Sequence, residues 1–483
     1  MKYYLGIDMG SSSIKATVID EEGRIAAKAK TPTEVLNPRE GFFEIDSEKV
    51  WWGGFREISR QISTDVPLDG IEAICISSLC GTFVPVDSAH RPVHNAILYS
   101  IDTRSRDQVR RLNERFGEAV LTERLGGAFT THSTIPKVLW LKENLPEVYE
   151  NAACFVESNN YVSMKLTGRT AWDFPSAIGS QMINLEAQDV DRSLIREIGL
   201  DPDKFPQCRY VTDLLGEVCM PEALELGYRE GTLVMTGGCD INAEAMSIGA
   251  VRPGDMLVVF GSTMSTIATL DAFKVRKGFR TGMSVLKGTY RLGTASHAGG
   301  RHIHWIDNMI GQECRIDLSR LPTGILMLPF LDGARSPFDN PNAEPVLIGL
   351  KGSTTLNDIA VSAREALGYE VAMLLHMLGE EGVRISTINC TGGLTHDRAF
   401  MQIVADITGH PQRLFLNTDA SYGDALVSLQ SRHSMQELFA LPGVAENLTP
   451  DETVQPDPDR HARYLSLSER FNGLYDKIKD VFE

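Results

Sequence analysis

One pattern occurs twice in this chain and limits what it can fold into. Residues 3–7 form a short apolar run that ends at Asp8. Met9-Gly10-Ser11-Ser12-Ser13 then reads as a turn, and residues 14–19 as a second β-rich run. Far downstream, Met256-Leu257-Val258-Val259-Phe260 is followed by Gly261-Ser262-Thr263-Met264 and by Ser265-Thr266-Ile267-Ala268. A strand, a turn of glycine and hydroxyl residues, and a second strand, met twice, predict two related α/β halves. Pro253-Gly254-Asp255 supplies a turn just before the second copy. The expected division is an N-terminal domain over 1–245 and a C-terminal domain over 246–483. A length of 483 residues, 42% of them hydrophobic, is enough for two sizeable cores.

Between and after these units, helical periodicity alternates with short apolar strands. Residues 71–77 read as a strand, 137–144 and 159–166 as helices, and 466–483 as an amphipathic terminal helix. Asp46-Ser47-Glu48-Lys49-Val50-Trp51-Trp52 opens a capped helix. The formal net charge of -17 argues against a nucleic-acid-backbone partner. The eight cysteines form no CxxC pair and read as free thiols in a reducing compartment. An acid at position 8 is too early for a signal peptide. No apolar run approaches the roughly 20 residues that span a bilayer. A cytoplasmic protein with no membrane partner is expected.

The first turn has the chemistry of a phosphate loop. Gly10 and the small neighbours Ser11, Ser12 and Ser13 let backbone N–H groups approach oxyanions, and Lys15 adds positive charge. Asp8, at the strand end, could hold Mg²⁺ through water. A plain serine-rich hairpin turn fits the same residues. Gly261, Ser262 and Thr263 form a weaker copy, which by itself could be an ordinary β-turn. A third candidate, Cys390-Thr391-Gly392-Gly393, lies between a predicted strand at 385–389 and a predicted helix at 398–408. Its turn suits a nucleotide or merely a tight βα connection.

Val234-Met235-Thr236-Gly237-Gly238-Cys239-Asp240 runs from a strand through two glycines toward a helix. Asp240 stands at the expected helix cap. It could equally be the carboxylate that orients and deprotonates a nucleophile in phosphoryl transfer. His297, His302 and His304 lack a fourth ligand at a telling spacing, and on a strand His302 and His304 would face opposite ways. Cys80 and Cys239 have no histidine near them in sequence and read as small fillers.

The ordered series of motifs resembles the FGGY family of carbohydrate kinases over nearly the whole chain. The resemblance is carried by Gly6-Ile7-Asp8-Met9-Gly10-Ser11-Ser12-Ser13-Ile14-Lys15, by Thr134-Ile135-Pro136-Lys137-Val138-Leu139-Trp140, and by Gly237-Gly238-Cys239-Asp240. Leu328-Pro329-Phe330-Leu331-Asp332-Gly333-Ala334 and the stretch from Thr391-Gly392-Gly393 to Ile407-Thr408-Gly409 add to it. It implies two ribonuclease-H-like domains of the actin and sugar-kinase type, with ATP and substrate in a cleft. It implies phosphorylation of a hydroxyl of a small sugar or polyol, with ATP and Mg²⁺ as cofactors and a homodimer as the assembly. Asp240 becomes the base and Asp8 the Mg²⁺-site residue. Ser11, Ser12, Ser13, Gly261, Ser262 and Thr263 become phosphate contacts, with Gly299, Gly300, Gly392 and Gly393 near the nucleotide.

Within the family the likeness runs toward the xylulose kinases. It makes Cys80, Gly81 and Asp102 substrate-binding positions. Xylulose kinases carry Met-His-Gly where this chain has Leu79-Cys80-Gly81, and Ile101 replaces an asparagine. These two changes bear on xylulose as the substrate, and the substitutions at Leu79-Cys80, Ala334 and Asn160 motivate the alternative of a nucleotide-binding, actin-like regulator without kinase activity.

Overall fold

The computed structural model describes residues 1–311 and 314–482. It separates into two compact units. The first comprises Met1–Val251, Thr281–Thr289 and Asp419–Thr449; the second comprises Arg252–Arg280, Tyr290–Thr418 and Pro450–Glu483. A single cut near residue 245 therefore assigns Asp419–Thr449 differently from the packing. Helix Ala420–Gln430 lies against the first strand of the first unit. There Ser428 Oγ donates to Leu5 O at 2.9 Å, and the Thr17 and Ser421 hydroxyls meet at 2.8 Å.

The first unit is built on a mixed sheet of β1 (Tyr3–Met9), β2 (Ser13–Asp20), β3 (Ile25–Pro32), β4 (Ile71–Ser78), β5 (Leu214–Glu217), β6 (Leu233–Met235) and β7 (Gly238–Cys239). The order is β5-β6-β4-β1-β2-β3, with β7 also paired to β4. β1, β2 and β3 form an antiparallel meander, while β4 lies parallel to β1 and to both β6 and β7. All eight residues of β4 are buried, as expected of a strand covered on both faces.

The second unit repeats this scheme. Its main sheet contains β8 (Asp255–Phe260), β9 (Met264–Leu270), β10 (Tyr290–Ser296), β11 (Thr387–Thr391), β12 (Gln412–Leu414) and β13 (Glu452–Val454). Here β8, β9 and β10 make the meander, and β11 runs parallel to β8 and to β12. The sequence echo is thus a topological repeat. Helix Leu356–Glu380 covers the sheet with Leu367, Val371, Leu374 and Leu378, one turn apart on one face. Burying each such side chain contributes about 1.5–3 kcal/mol.

Three local expectations change. The C-terminal helix starts earlier, at Pro458, where the Asp457 side chain accepts from Arg460 N–H. It stops at Asn472 before Gly473, and a short helix Leu474–Ile478 follows; Glu483 lies outside the described residues. Asp46 does cap a helical turn, by accepting from Lys49 N–H, but Ser47–Trp52 is a π-helix that continues into helix Gly53–Ile62. His302 and His304 lie on helix Gly300–Ile310, not on a strand.

Candidate active site

A row of candidate site residues in the first unit follows from strand register. Asp8 pairs with Lys15 on β2 and with Ser77 on β4, and Ser77 pairs with Gly238 on β7. Cys239 is next, and Asp240 opens helix Asp240–Ser247. Asp8 and Asp240 thus emerge at the same end of the sheet. Gly237 makes this possible: its φ is 72°, and a Cβ there would sit 2.0 Å from Ile76 O.

Asp240 is the first helical residue and not the cap, which is Cys239. Asp240 Oδ1 accepts from the adjacent Ile241 N–H at 2.7 Å. The side chain is half-buried. Asp8 Oδ1 is shielded from solvent and accepts no hydrogen bond. Burial, and next the charge of Asp240, push the Asp8 carboxyl up to about 8; Lys15 opposes this. An orphaned carboxylate oxygen beside a second acid is where a hydrated divalent cation fits. Lys15 lies 3.9 Å from Asp419 Oδ2, so its charge is divided between Asp8 and Asp419.

A third acid went unread in the sequence. Asp424 is buried on helix Ala420–Gln430 and accepts from Ser77 Oγ at 2.6 Å. Burial raises its pKa well above the ordinary range, and Asp8 adds to the shift. The helix comes this close because residue 423 is glycine: a Cβ there would lie 1.9 Å from Ala243 O, on the helix that begins at Asp240. Gly423 beside an acid was the only sequence signal.

The loop between β1 and β2 is partly self-bonded. Gly10 N–H donates to Ser13 O at 3.0 Å, and Ser12 O accepts from Thr33 N–H at 3.2 Å. Ser12 is exposed, Gly10 and Ser11 are half-buried, and Ser13 is buried.

The predicted substrate positions differ in what holds them. Cys80 Sγ lies 3.6 Å from His132 Nε2, so the expectation of no histidine partner is corrected. His132 also presses on Gly81, where a Cβ would lie 2.9 Å from Nε2. Asp102 is fully buried and gripped by Arg104, whose Nε reaches both carboxylate oxygens at 2.9 and 3.0 Å. Phe43 N–H donates to it at 2.7 Å. Its acceptor capacity is spent on the protein. Lys137, also missed, is fully buried and donates to Leu98 O and Tyr99 O; burial lowers its pKa to about 7, and the charge of Asp102 opposes this.

In the second unit, three predicted segments converge. Gly300 N–H donates to Gly261 O at 2.8 Å, and Arg301 N–H to Ser262 O at 3.1 Å. The Gly261-Ser262-Thr263 loop thereby satisfies the first N–H groups of helix Gly300–Ile310. A Cβ at Gly299 would meet Ser262 O at 2.7 Å, and one at Gly392 would meet Phe260 O at 2.5 Å. Gly393 has open space instead. Glu370, which sequence reading missed, is buried behind them. It accepts from Ser296 Oγ at 3.1 Å and is pushed up to about 8 by burial.

The sequence models of the FGGY family of carbohydrate kinases match residues 3–247 for its N-terminal domain and 286–429 for its C-terminal domain. The chain belongs to this family. It is similar to the xylulose kinase of Escherichia coli, at 24% identity over 98% of this chain and 99% of that protein. It is similar to the xylulose kinase of Bacillus subtilis, at 25% identity over 100% and 98%. The crystal structure of xylulose kinase from Rhodospirillum rubrum superposes with a TM-score of 0.91 at 24% identity, covering all of both chains. The two-domain actin and sugar-kinase fold is therefore that of this chain. The chain is a carbohydrate kinase, an ATP-dependent phosphotransferase acting on a sugar, and a regulator without kinase activity is not favoured.

Proposed function

We propose that this kinase phosphorylates a pentulose of the xylulose type, with Asp240 as the base. The observation that carries this reading is the row of Asp8, Ser77 and Gly238 that brings Asp8 and Asp240 to one sheet end. End-to-end similarity to xylulose kinases points to the acceptor class.

Asp240 accepts the proton of the acceptor hydroxyl as that oxygen bonds to the transferred phosphorus, and the bond to the ADP oxygen breaks. Asp8, with its orphaned Oδ1, would hold Mg²⁺. When bound, Mg²⁺ neutralises phosphate charge. Ser11, Ser12 and Ser13 of the first unit contact phosphate, with Gly10 shaping the turn. In the second unit Gly261, Ser262 and Thr263 do the same, and Gly299, Gly300, Gly392 and Gly393 line the nucleotide. Cys80 and Gly81 contact the sugar, together with His132. Asp102 acts on the sugar through Arg104 and the backbone it fixes. The finer expectations include a cytoplasmic homodimer without nucleic-acid or membrane partners. Among the described residues no helix is long and apolar enough to cross a membrane.

ADP release coupled to a panel of pentuloses, pentitols, hexitols and aldonates tests the acceptor. Xylulose is expected to give the highest kcat/KM. A higher value with a hexitol or an aldonate would replace the pentulose reading. Gel filtration tests the dimer.

A further inference from the structure

One acid of the second unit has no part in the mechanism above. Glu370 lies on helix Leu356–Glu380, between Leu367 and Leu374 on the face that covers the sheet. It exposes only 9% of its surface. Its Oε1 accepts from Ser296 Oγ at 3.1 Å, while among the described residues Oε2 finds no hydrogen-bond partner. A buried carboxyl with one oxygen unpartnered costs the fold free energy, and a methionine of similar size would not. Stability therefore does not account for an acid at this position.

The contacts of Ser296 do. Ser296 ends β10, and its hydroxyl carries a single hydrogen. That hydrogen goes to Glu370, which leaves the hydroxyl oxygen to accept from Ala298 N–H at 3.1 Å. Gly300 then opens helix Gly300–Ile310, its N–H donating to Gly261 O and that of Arg301 to Ser262 O. Hydrogen bonds thus run from Glu370 through the Ser296 hydroxyl to the turn Ala298-Gly299-Gly300, and from there to the Gly261–Thr263 loop. Without an acceptor at 370 the hydroxyl could rotate and turn its hydrogen toward Ala298. The turn needs an outside anchor, because Gly299 and Gly300 have no side chains to fix themselves; a Cβ at Gly299 would lie 2.7 Å from Ser262 O.

We propose that Glu370 is a positioning residue for the nucleotide: it orients the Ser296 hydroxyl, and through it the backbone turn 298–300 against which the nucleotide lies. The inference rests on the reading of Gly299 and Gly300 as lining the nucleotide. Burial pushes the Glu370 carboxyl up to about 8, and the bond from Ser296 opposes this. The acid is therefore neutral at pH 7, and a neutral amide, which keeps an accepting oxygen, can take its place.

The test compares Glu370→Met, Glu370→Gln, Ser296→Ala and the Glu370→Met/Ser296→Ala double variant with the wild type, by ADP calorimetry, steady-state kinetics, thermal melting and hydrogen exchange. Glu370→Met should weaken ADP binding and raise KM for ATP roughly 5–10-fold, the worth of one such hydrogen bond, with kcat little changed. Its melting temperature should equal or exceed that of the wild type, because an unpartnered buried acid has gone. Glu370→Gln should restore wild-type ADP affinity. Ser296→Ala should weaken ADP as much as Glu370→Met does, and the double variant no further, since both break one relay. Without nucleotide, the Ala298 amide should exchange faster in Glu370→Met. Unchanged ADP affinity, a melting temperature that falls together with affinity, additive losses in the double variant, or unchanged exchange overturns the proposal. If the wild type binds no ADP, the nucleotide reading of this turn falls as well, and the exchange result still decides whether Glu370 holds the turn.

Discussion

The two strand–turn–strand units share a topology but not a chemistry. The Gly10–Ser13 turn is flanked by Asp8, Asp240 and Asp424, three acids whose fields overlap at the end of β1. The Gly261–Thr263 turn has a buried acid near it, Glu370, which accepts from Ser296. Its carbonyls are spent on the N-terminus of helix Gly300–Ile310, and its neighbours are glycines packed backbone to backbone. One scaffold thus serves two ends. In the first unit it gathers charge that can take a proton or hold a cation. In the second it builds a rigid backbone wall, where a Cβ would meet main chain.

Removing the proposed base should separate the two units most. Asp240→Asn should lower kcat by about 10²–10⁴-fold, the usual share of general-base catalysis, with the melting temperature nearly unchanged. Ser262→Ala in the second unit should raise KM for ATP and leave kcat near wild type. Equal losses of kcat in steady-state assays would break the contrast.

Close packing gives the next effect. Gly423→Ala places a Cβ against Ala243 O and should cost about 1–3 kcal/mol in denaturant unfolding. Gly392→Ala meets Phe260 O at a backbone φ of 95°, so a comparable loss is expected in the second unit. A neutral result at either position would show that its helix or strand can shift.

Charge gives a smaller, pH-dependent effect. Asp8 holds its proton up to about 8 in the folded chain but only to about 4 when unfolded. The folded state therefore binds more protons between those values, and stability falls as pH rises from about 4 to about 8. Asp8→Asn should abolish this slope, so its melting temperature should exceed that of the wild type by more at pH 8 than at pH 5. Added Mg²⁺ should raise the wild-type melting temperature at pH 8 and leave the variant unmoved. Parallel curves would exclude Asp8 as the acid under strain.

The smallest effect belongs to Gly393. With open space around it, Gly393→Ala should change stability by no more than about 0.5 kcal/mol while raising KM for ATP. An unchanged KM would move the nucleotide away from this turn.

Much of the fold was legible because its signals are local. Alternation of apolar residues around Gly10–Ser13 and around Gly261–Thr263 marked both meanders. The run 398–408 marked a helix found at Arg398–Thr408. Gly473 shows where periodicity misled, since one residue of high backbone freedom ended a helix whose apolar pattern continued. Asp8 and Asp240 were legible as strand-end acids beside small residues.

What the sequence by itself determined is therefore the repeated strand–turn–strand plan, the family, and the two candidate acids beside its glycine turns. Only the tertiary structure decided how those acids are charged and held. Ser77 meets Asp424 across 347 residues, and Cys80 meets His132 across 52. Asp102, which looked like a sugar ligand, is closed over by Arg104 from two positions away once Phe43 and Glu44 fold against them. Periodicity is written in neighbours, whereas burial and electrostatic coupling depend on which distant segments the core brings into contact.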